Sequence, residues 1–348
     1  MDFEAVKLGD VATFNYGRMP KKEKINPKGK YPIFSGYRVV GYYDEYNLDK
    51  DQLVVVARGV GGTGDVKLSP SKCYLTNLSI AVIPNQNIVK TKYLYYYFLL
   101  NNLRYLDSGS AQSQITINDL SKVIVPIPTL EYQDKAVSLL ELLDAKIKEN
   151  TEINNNLLEQ AQALYTSLFI SNADPSWQQG HLSDLITVRY GKDHKKLADG
   201  AYPVYGSGGI MRYAERPLYE RESVLIPRKG TLNNVIYVNE PFWSVDTMFY
   251  TEMRMPNVAK FVYHFVKSKD LASLNAGSAV PSMTTDILNA MELLIPSEMA
   301  LAEFEALVAP MYRAMKDNDI QVAQLVKLRD SLLPKLMSGE VDVSAIEI

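Results

Sequence analysis

The chain is poor in the residues that most site chemistry requires. It has one cysteine, Cys73, which excludes intrachain disulfides and any cysteine-rich zinc site. Its three histidines, His181, His194 and His264, lie far apart and leave little material for a metal centre. No run approaches the ~18 uninterrupted apolar residues of a membrane span. The longest candidate, Tyr93 to Leu100, is far too short. The opening Met1-Asp2-Phe3-Glu4 has neither the basic nor the apolar region of a secretory signal, so a cytoplasmic protein is expected. Gly-x-Ser-x-Gly, His-Glu-x-x-His and Walker A patterns are missing. So are the Asn/Asp-Pro-Pro-aromatic motif of amino-methyltransferases and a Pro-Asp…Glu-x-Lys nuclease core. No catalytic role and no bound cofactor are expected of this chain.

What is present is an ordinary globular composition: 348 residues, 47% apolar and 22% charged, with room for two or three domains. The net charge of −3 alone argues against a nucleic-acid partner, but it is unevenly spread. Residues 1–129 carry +5, 130–172 carry −4, 173–296 are neutral, and 297–348 carry −4. The acidic excess therefore sits in two particular stretches.

The chain also repeats itself, which bears on every later step. Leu8-Gly9-Asp10 and Gly17 return as Leu182-Ser183-Asp184 and Gly191. Tyr31-Pro32-Ile33-Phe34 returns as Tyr202-Pro203-Val204-Tyr205, and Arg58 is matched with Arg228. Tyr93-Leu94-Tyr95 returns as Phe261-Val262-Tyr263, and Gly109-Ser110-Ala111 as Gly277-Ser278-Ala279. Each copy reads as a mixed α/β globule followed by a long helix. Strands are expected at Gln52–Ala57, Ser79–Ile83, Ser223–Ile226 and Met248–Thr251, which are rich in β-branched and aromatic residues. Short helices are expected at Lys92–Leu103 and Val258–Leu271. The globules end at Val125-Pro126-Ile127-Pro128 and Leu294-Ile295-Pro296, where proline stops a strand.

After each proline stop runs a stripe with alternating spacings of three and four. Leu140, Leu143, Ile147, Asn150, Asn154, Leu157, Ala161, Leu164 and Leu168 form the first. Val308, Met311, Met315, Asn318, Val322, Leu325, Arg329, Leu332 and Leu336 form the second in the same register. Such stripes usually pack on a core, but two equal ones favour helices packing on each other, antiparallel under a pseudo-two-fold axis. From Leu140 to Leu168 the stripe covers roughly 42 Å at ~1.5 Å per residue. Pro310 and Pro334 are expected to make the second helix less regular.

Three loop motifs carry polar chemistry. Arg58-Gly59-Val60-Gly61-Gly62-Thr63-Gly64 contains a literal G-x-G-x-x-G, yet a strand-like segment and not a helix follows, which argues against a dinucleotide site. Arg58 and Thr63 in a glycine-rich loop suit close approach to phosphates, and a plain tight turn fits equally well. The second-copy loop offers Arg228, Lys229 and Thr231. The run Arg18, Lys21, Lys22, Lys24, Lys28 and Lys30 is matched by Lys192, His194, Lys195 and Lys196, although charge runs are often only a solvated face. Tyr37 and Arg38 lie nearby, among Tyr31, Tyr42, Tyr43 and Tyr46. Finally Ser110, Gln112 and Gln114 in one copy, and Ser278 in the other, lie in loops suited to base edges or phosphates. His264 is expected to be a packed residue and Cys73 buried or incidental.

On these residues the chain resembles the specificity subunit of type I restriction-modification systems. The strongest pieces are Pro126-Ile127-Pro128-x-Leu130-Glu131-x-Gln133, Leu142-Leu143-Asp144-x-x-Ile147, and Leu328-Arg329-Asp330-Ser331-Leu332-Leu333-Pro334-Lys335-Leu336-Met337-Ser338-Gly339-Glu340. Lys7-Leu8-Gly9-Asp10-Val11 also fits, while Glu298-Met299-Ala300 and Pro310 depart from the pattern. The resemblance implies an α+β fold with target-recognition domains at 1–129 and 173–296. Helical spacer segments follow at 130–172 and 297–348, pairing as an antiparallel coiled coil. It implies a split double-stranded DNA target, two docked methyltransferase subunits, and restriction subunits. S-adenosylmethionine, ATP and magnesium would reside on those partners. The DNA-facing candidates are then the loop residues named above. The packing candidates are Leu140, Leu143, Ile147, Leu157, Leu164, Met311, Met315, Val322, Leu325 and Leu332. Alternatives are a repeat scaffold that binds proteins without DNA, a recognition chain of a related type II-like system, or a fused enzyme.

Overall fold

The runs rich in β-branched residues form the centres of two four-stranded antiparallel sheets, one in each half of the chain. The computed structural model describes residues 3–59, 62–107, 113–274 and 282–343. The chain divides into two units, Met1–Asn150 with Ile320–Ile348, and Thr151–Asp319. In the first unit Ser79–Pro84 and Leu53–Val56 lie between Ala12–Tyr16 and Val66–Leu68. A three-stranded sheet joins Val39–Tyr43, Tyr31–Phe34 and Tyr74–Leu75, and Glu4–Lys7 pairs with Ile124–Ile127.

Every piece recurs in the second unit. Met248–Met253 and Ser223–Pro227 lie between Ile186–Tyr190 and Ile236–Val238. Gly209–Ala214, Asp199–Gly206 and Trp243–Ser244 form the three-stranded sheet, and Gln178–His181 pairs with Glu292–Ile295. The short helices lie at Thr91–Leu100 and Ala259–Lys267. Tyr93, Leu94 and Phe98 of the first, and Phe261, Val262 and Phe265 of the second, are buried in the cores.

Strand register corrects one equivalence read from the sequence. Val55 and Val56 pair with Ile80 and Ser79, as Ile226 and Pro227 pair with Phe249 and Met248. The amides of Ala57 and Arg58 both donate to Leu78 O, and those of Arg228 and Lys229 both donate to Thr247 O. Arg58 therefore matches Lys229, not Arg228, whose place in the first copy is taken by Ala57. Matching by residue type slipped the alignment by one position, and in a pleated chain one position exchanges the faces.

Gly17 and Gly191 recur for a steric reason. A Cβ on Gly17 would lie 2.0 Å from Thr76 O, and one on Gly191 2.0 Å from Val245 O. Gly17→Ala is expected to destabilise its unit by about 1–3 kcal/mol, the usual cost of overpacking. Gly208→Ala, with nothing within 4 Å of its Cβ, is the control. Urea midpoints of the two variants check this.

The long helices run Leu130–Thr166, continued by a π-helical turn at Ser167–Ser171, and Glu298–Ser338. Thr129 Oγ1 accepts from the Tyr132 amide and Ser297 Oγ from the Ala300 amide, so each helix opens on a hydroxyl cap directly after proline. The expected interruption at Pro310 and Pro334 does not occur; the second helix is unbroken across both. Each proline removes one backbone hydrogen bond, and the buried neighbours Val308 and Leu336 hold the helix on its unit's core.

All the stripe positions are buried or half-buried, but they serve two kinds of packing. In the first unit Leu140 and Leu336 enter the core, and the Tyr132 hydroxyl lies 2.9 Å from Leu336 O. Arg329 Nη1 reaches Asp144 at 2.9 Å, and Asn150 donates to Gln321. In the second unit Ala161 and Val308 enter the core, and Tyr165 and Phe169 meet Phe304 edge-on. Asn154 donates to Asp319 and Met315 O and accepts from Asn318. Within each unit the segments run antiparallel. Their outer turns bury apolar side chains, while the Asn positions pair through hydrogen bonds.

Candidate nucleic-acid interface

In the first unit three segments distant in sequence meet beyond the end of strand Leu53–Val56. The glycine loop turns back into strand Val66–Leu68, and not into the helix that a dinucleotide fingerprint needs directly after its glycines. Gly64 has φ +92, and a Cβ there would lie 2.5 Å from Arg104 N, so the loop packs directly on the segment after the short helix. The Tyr37 hydroxyl lies 2.0 Å from where a Cβ on Gly62 would be, which seats the hairpin turn Ser35–Arg38 on the same loop. Arg104 bridges to Asp65 at 2.9 Å. Ser113 Oγ lies 2.6 Å from Thr63 Oγ1 and also contacts the Asp107 carboxylate. The Gln114 amide donates to Asp107 at 2.8 Å, and Gln114 bridges Arg58 through the backbone.

The second unit builds the same cluster with different side chains. Gly230, at φ +85, abuts Ser207, and Asn234 donates to Ser207 O at 2.8 Å. Asn233 donates to Asp270 at 3.0 Å and accepts from the Ala272 amide. Hydrogen bonds, first of all that from Asn233, hold the Asp270 carboxyl below its ordinary pKa. Lys229 bridges Ser282 through the backbone, in the position of Arg58 and Gln114.

The sequence-derived candidates fall into distinct groups. Arg18, Lys21, Lys22, Tyr37, Arg38, Arg58, Lys192, Lys195, Lys229 and Thr231 are exposed. Among the described residues, none of the lysines and arginines in that group is engaged in an ion pair. Arg228 is half-buried over the Tyr190 ring at 5.4 Å and donates to Asp246 O at 3.2 Å. Thr63 is buried and its hydroxyl donates to Gly59 O, so it braces the loop. Gln114 is half-buried. Ser110, Gln112 and Ser278 lie outside the described residues. The basic loops attach to the three-stranded sheets: Arg18 donates to Leu75 O, Asn26 to Tyr42 O, and Trp243 Nε1 to Lys192 O.

Sequence reasoning missed Arg104, Asp107, Asn233 and Asp270. Their importance lies in hydrogen bonds between loops, which no local spacing announces. Among the described residues there is no His, Cys, Asp and Glu cluster able to hold a metal ion. No helix among them is long and apolar enough to cross a membrane. His264 and Cys73 are buried.

Comparison with known proteins places these units in context. The family model for the type I restriction modification DNA specificity domain matches residues 1–159 and again 175–300. The type I restriction enzyme MjaIX specificity subunit of Methanocaldococcus jannaschii is 24% identical over 76% of this chain and 72% of its own length. The HindI specificity subunit of Haemophilus influenzae is 21% identical over 77% of this chain and 81% of its own length. The fold matches the crystal structure of the type I restriction-modification S subunit from M. genitalium, with a TM-score of 0.72 and 20% identity. That match covers 97% of this chain and 96% of the other.

Proposed function

We propose a role that starts from one fact: the chain belongs to the type I restriction modification DNA specificity family. In this role each loop cluster, with the basic loop beside it, reads one half of a split duplex target. Residues 1–129 and 173–296 are the readers, and 130–172 and 297–348 are the spacer helices. The acidic helices dock two methyltransferase subunits, and restriction subunits join them in the cytoplasm. The chain itself is non-catalytic, and S-adenosylmethionine, ATP and magnesium reside on its partners.

The observation that carries this reading is the duplicated loop cluster, presenting Arg58 and Lys229 in one common frame, exposed and, among the described residues, in no ion pair. Phosphate contacts from such cations position a protein on DNA, while side chains at base edges select sequence. The frame is shared but the side chains differ, Arg58 and Gln114 against Lys229 and Ser282, as two readers of different half-sites require.

Selection of duplexes from a randomised pool by the full-length chain with its methyltransferase subunits tests the reading. The expected yield is two short motifs separated by a fixed gap. Lys21→Ala with Lys22→Ala should weaken binding to all duplexes alike, and lower the slope of log affinity against log salt by about 2. Fluorescence anisotropy across a salt series measures both effects. An unchanged slope would remove these lysines from the interface.

A further inference from the structure

The outer strands of the three-stranded sheets carry a feature that the loop clusters do not explain. Val39–Tyr43 and Gly209–Ala214 are the edge strands of their sheets, the first capped at Tyr42 O by the Asn26 amide. Exposed edges are normally blunted with charge. Here Val40 is 53% exposed, Tyr42 43%, Met211 60% and Tyr213 50%. The positions correspond: Tyr42 stands opposite Pro32, and Tyr213 opposite Pro203. In both copies a register shift falls at the aliphatic residue, Val40 or Met211, two positions before the tyrosine, and both side chains of the pair are exposed. Along the first strand the position between Val40 and Tyr42, Gly41, faces Ile25 and Ile33.

Each strip lies beside a cationic loop. In the first unit it begins two residues after Arg38, in the turn seated on the glycine loop, and ends where Tyr42 O accepts from Asn26 of the basic loop. In the second unit the turn at Ser207 accepts from Asn234. Arg212 there donates to His194 O and Leu197 O, tying the strand to the loop of Lys192 and Lys195. An apolar strip beside a cationic loop suits a surface that carries anionic groups at its margin and apolar groups next to them. Duplex DNA offers this: phosphates flank a major groove that admits a two-stranded ribbon, and the apolar group on its base edges is the thymine methyl.

We propose that Val40 and Tyr42 in one unit, and Met211 and Tyr213 in the other, pack on thymine methyl groups in the half-site each unit reads. The inference rests on the DNA-recognition role proposed above and adds specificity-determining residues to it.

The test uses duplexes selected by the full-length chain with its methyltransferase subunits, with uracil replacing thymine in one half-site at a time. Uracil differs from thymine only by the methyl, so the parent should weaken roughly fourfold per methyl contacted. Val40→Ser with Tyr42→Ser should become indifferent to uracil in one half-site and stay sensitive in the other. Met211→Ser with Tyr213→Ser should behave conversely. Retained discrimination at the other base pairs of the altered half-site reports that the substituted unit is folded. A parent indifferent to uracil, or variants that keep the parental response in both halves, would overturn the inference. Loss of a protein subunit with an unchanged uracil response would also overturn it, marking the strip as a protein contact. A parent that enriches no sequence would instead overturn the recognition role itself.

Discussion

Between pH 7 and pH 5 the unit Thr151–Asp319 should lose about 2 kcal/mol of stability through one buried side chain. His264 is fully buried among the rings of Tyr165, Tyr263, Phe304 and Tyr312. Its Nδ1 lies 2.8 Å from Gln162 Oε1 and its Nε2 3.0 Å from the Tyr312 hydroxyl. That pairing suits a neutral ring, which donates from Nδ1 and accepts at Nε2. Burial pushes its pKa down to about 4. In the unfolded chain the same imidazole titrates near ~6.5, so on acidification the unfolded state takes up the proton first. Stability is therefore lost as pH falls from about 6.5 towards about 4, with a full span of roughly 3 kcal/mol. His264→Gln keeps a donor and an acceptor without a titrating group. Urea unfolding should show the parent losing about 2 kcal/mol more than this variant between the two pH values. Equal losses would mean that the histidine is not held neutral. The first copy makes the same connection without a histidine, because Tyr96 donates to Asp144 at 2.7 Å.

Arg58→Ala should reduce discrimination at one half-site roughly 5- to 150-fold, the worth of a good bidentate base contact, and leave the other half-site unchanged. Lys229→Ala should do the converse, because the backbone pairing puts Lys229 where Arg58 stands. Arg228→Ala is expected to have a smaller effect on reading. Its guanidinium is already stacked on Tyr190 and bonded to Asp246 O. Competition binding against single-base variants of the selected duplex measures all three. Uniform weakening across sequences would assign Arg58 to a phosphate instead.

The repeat, the central strands and the long helices were legible because their signals are local. Runs such as Leu53–Val56 and Ser79–Pro84 are continuously apolar and β-branched, and the stripes keep helical spacing over many turns. The stripes also located Asn150, Asn154 and Asn318, although not Gln321 and Asp319, which accept from the first two. The three-stranded sheets left little trace, since Tyr74–Leu75 and Trp243–Ser244 are only two residues long. At the candidate site, sequence identified the glycine loop and the exposed cations. It missed that Thr63 points inward and that Asp107 and Asp270 bind neighbouring loops, because these contacts form only when the chain folds. The prolines misled for the converse reason: a local penalty was outweighed by packing on either side.

The central claim is that one chain holds two independent readers. Mapping methylated positions in cells that carry the chain and its methyltransferase subunits tests it most directly, run for the parent, Arg58→Ala and Lys229→Ala. The account predicts a split motif in the parent, relaxation of one half by Arg58→Ala, and relaxation of the other half by Lys229→Ala. A single contiguous motif, or either substitution altering both halves alike, would contradict it.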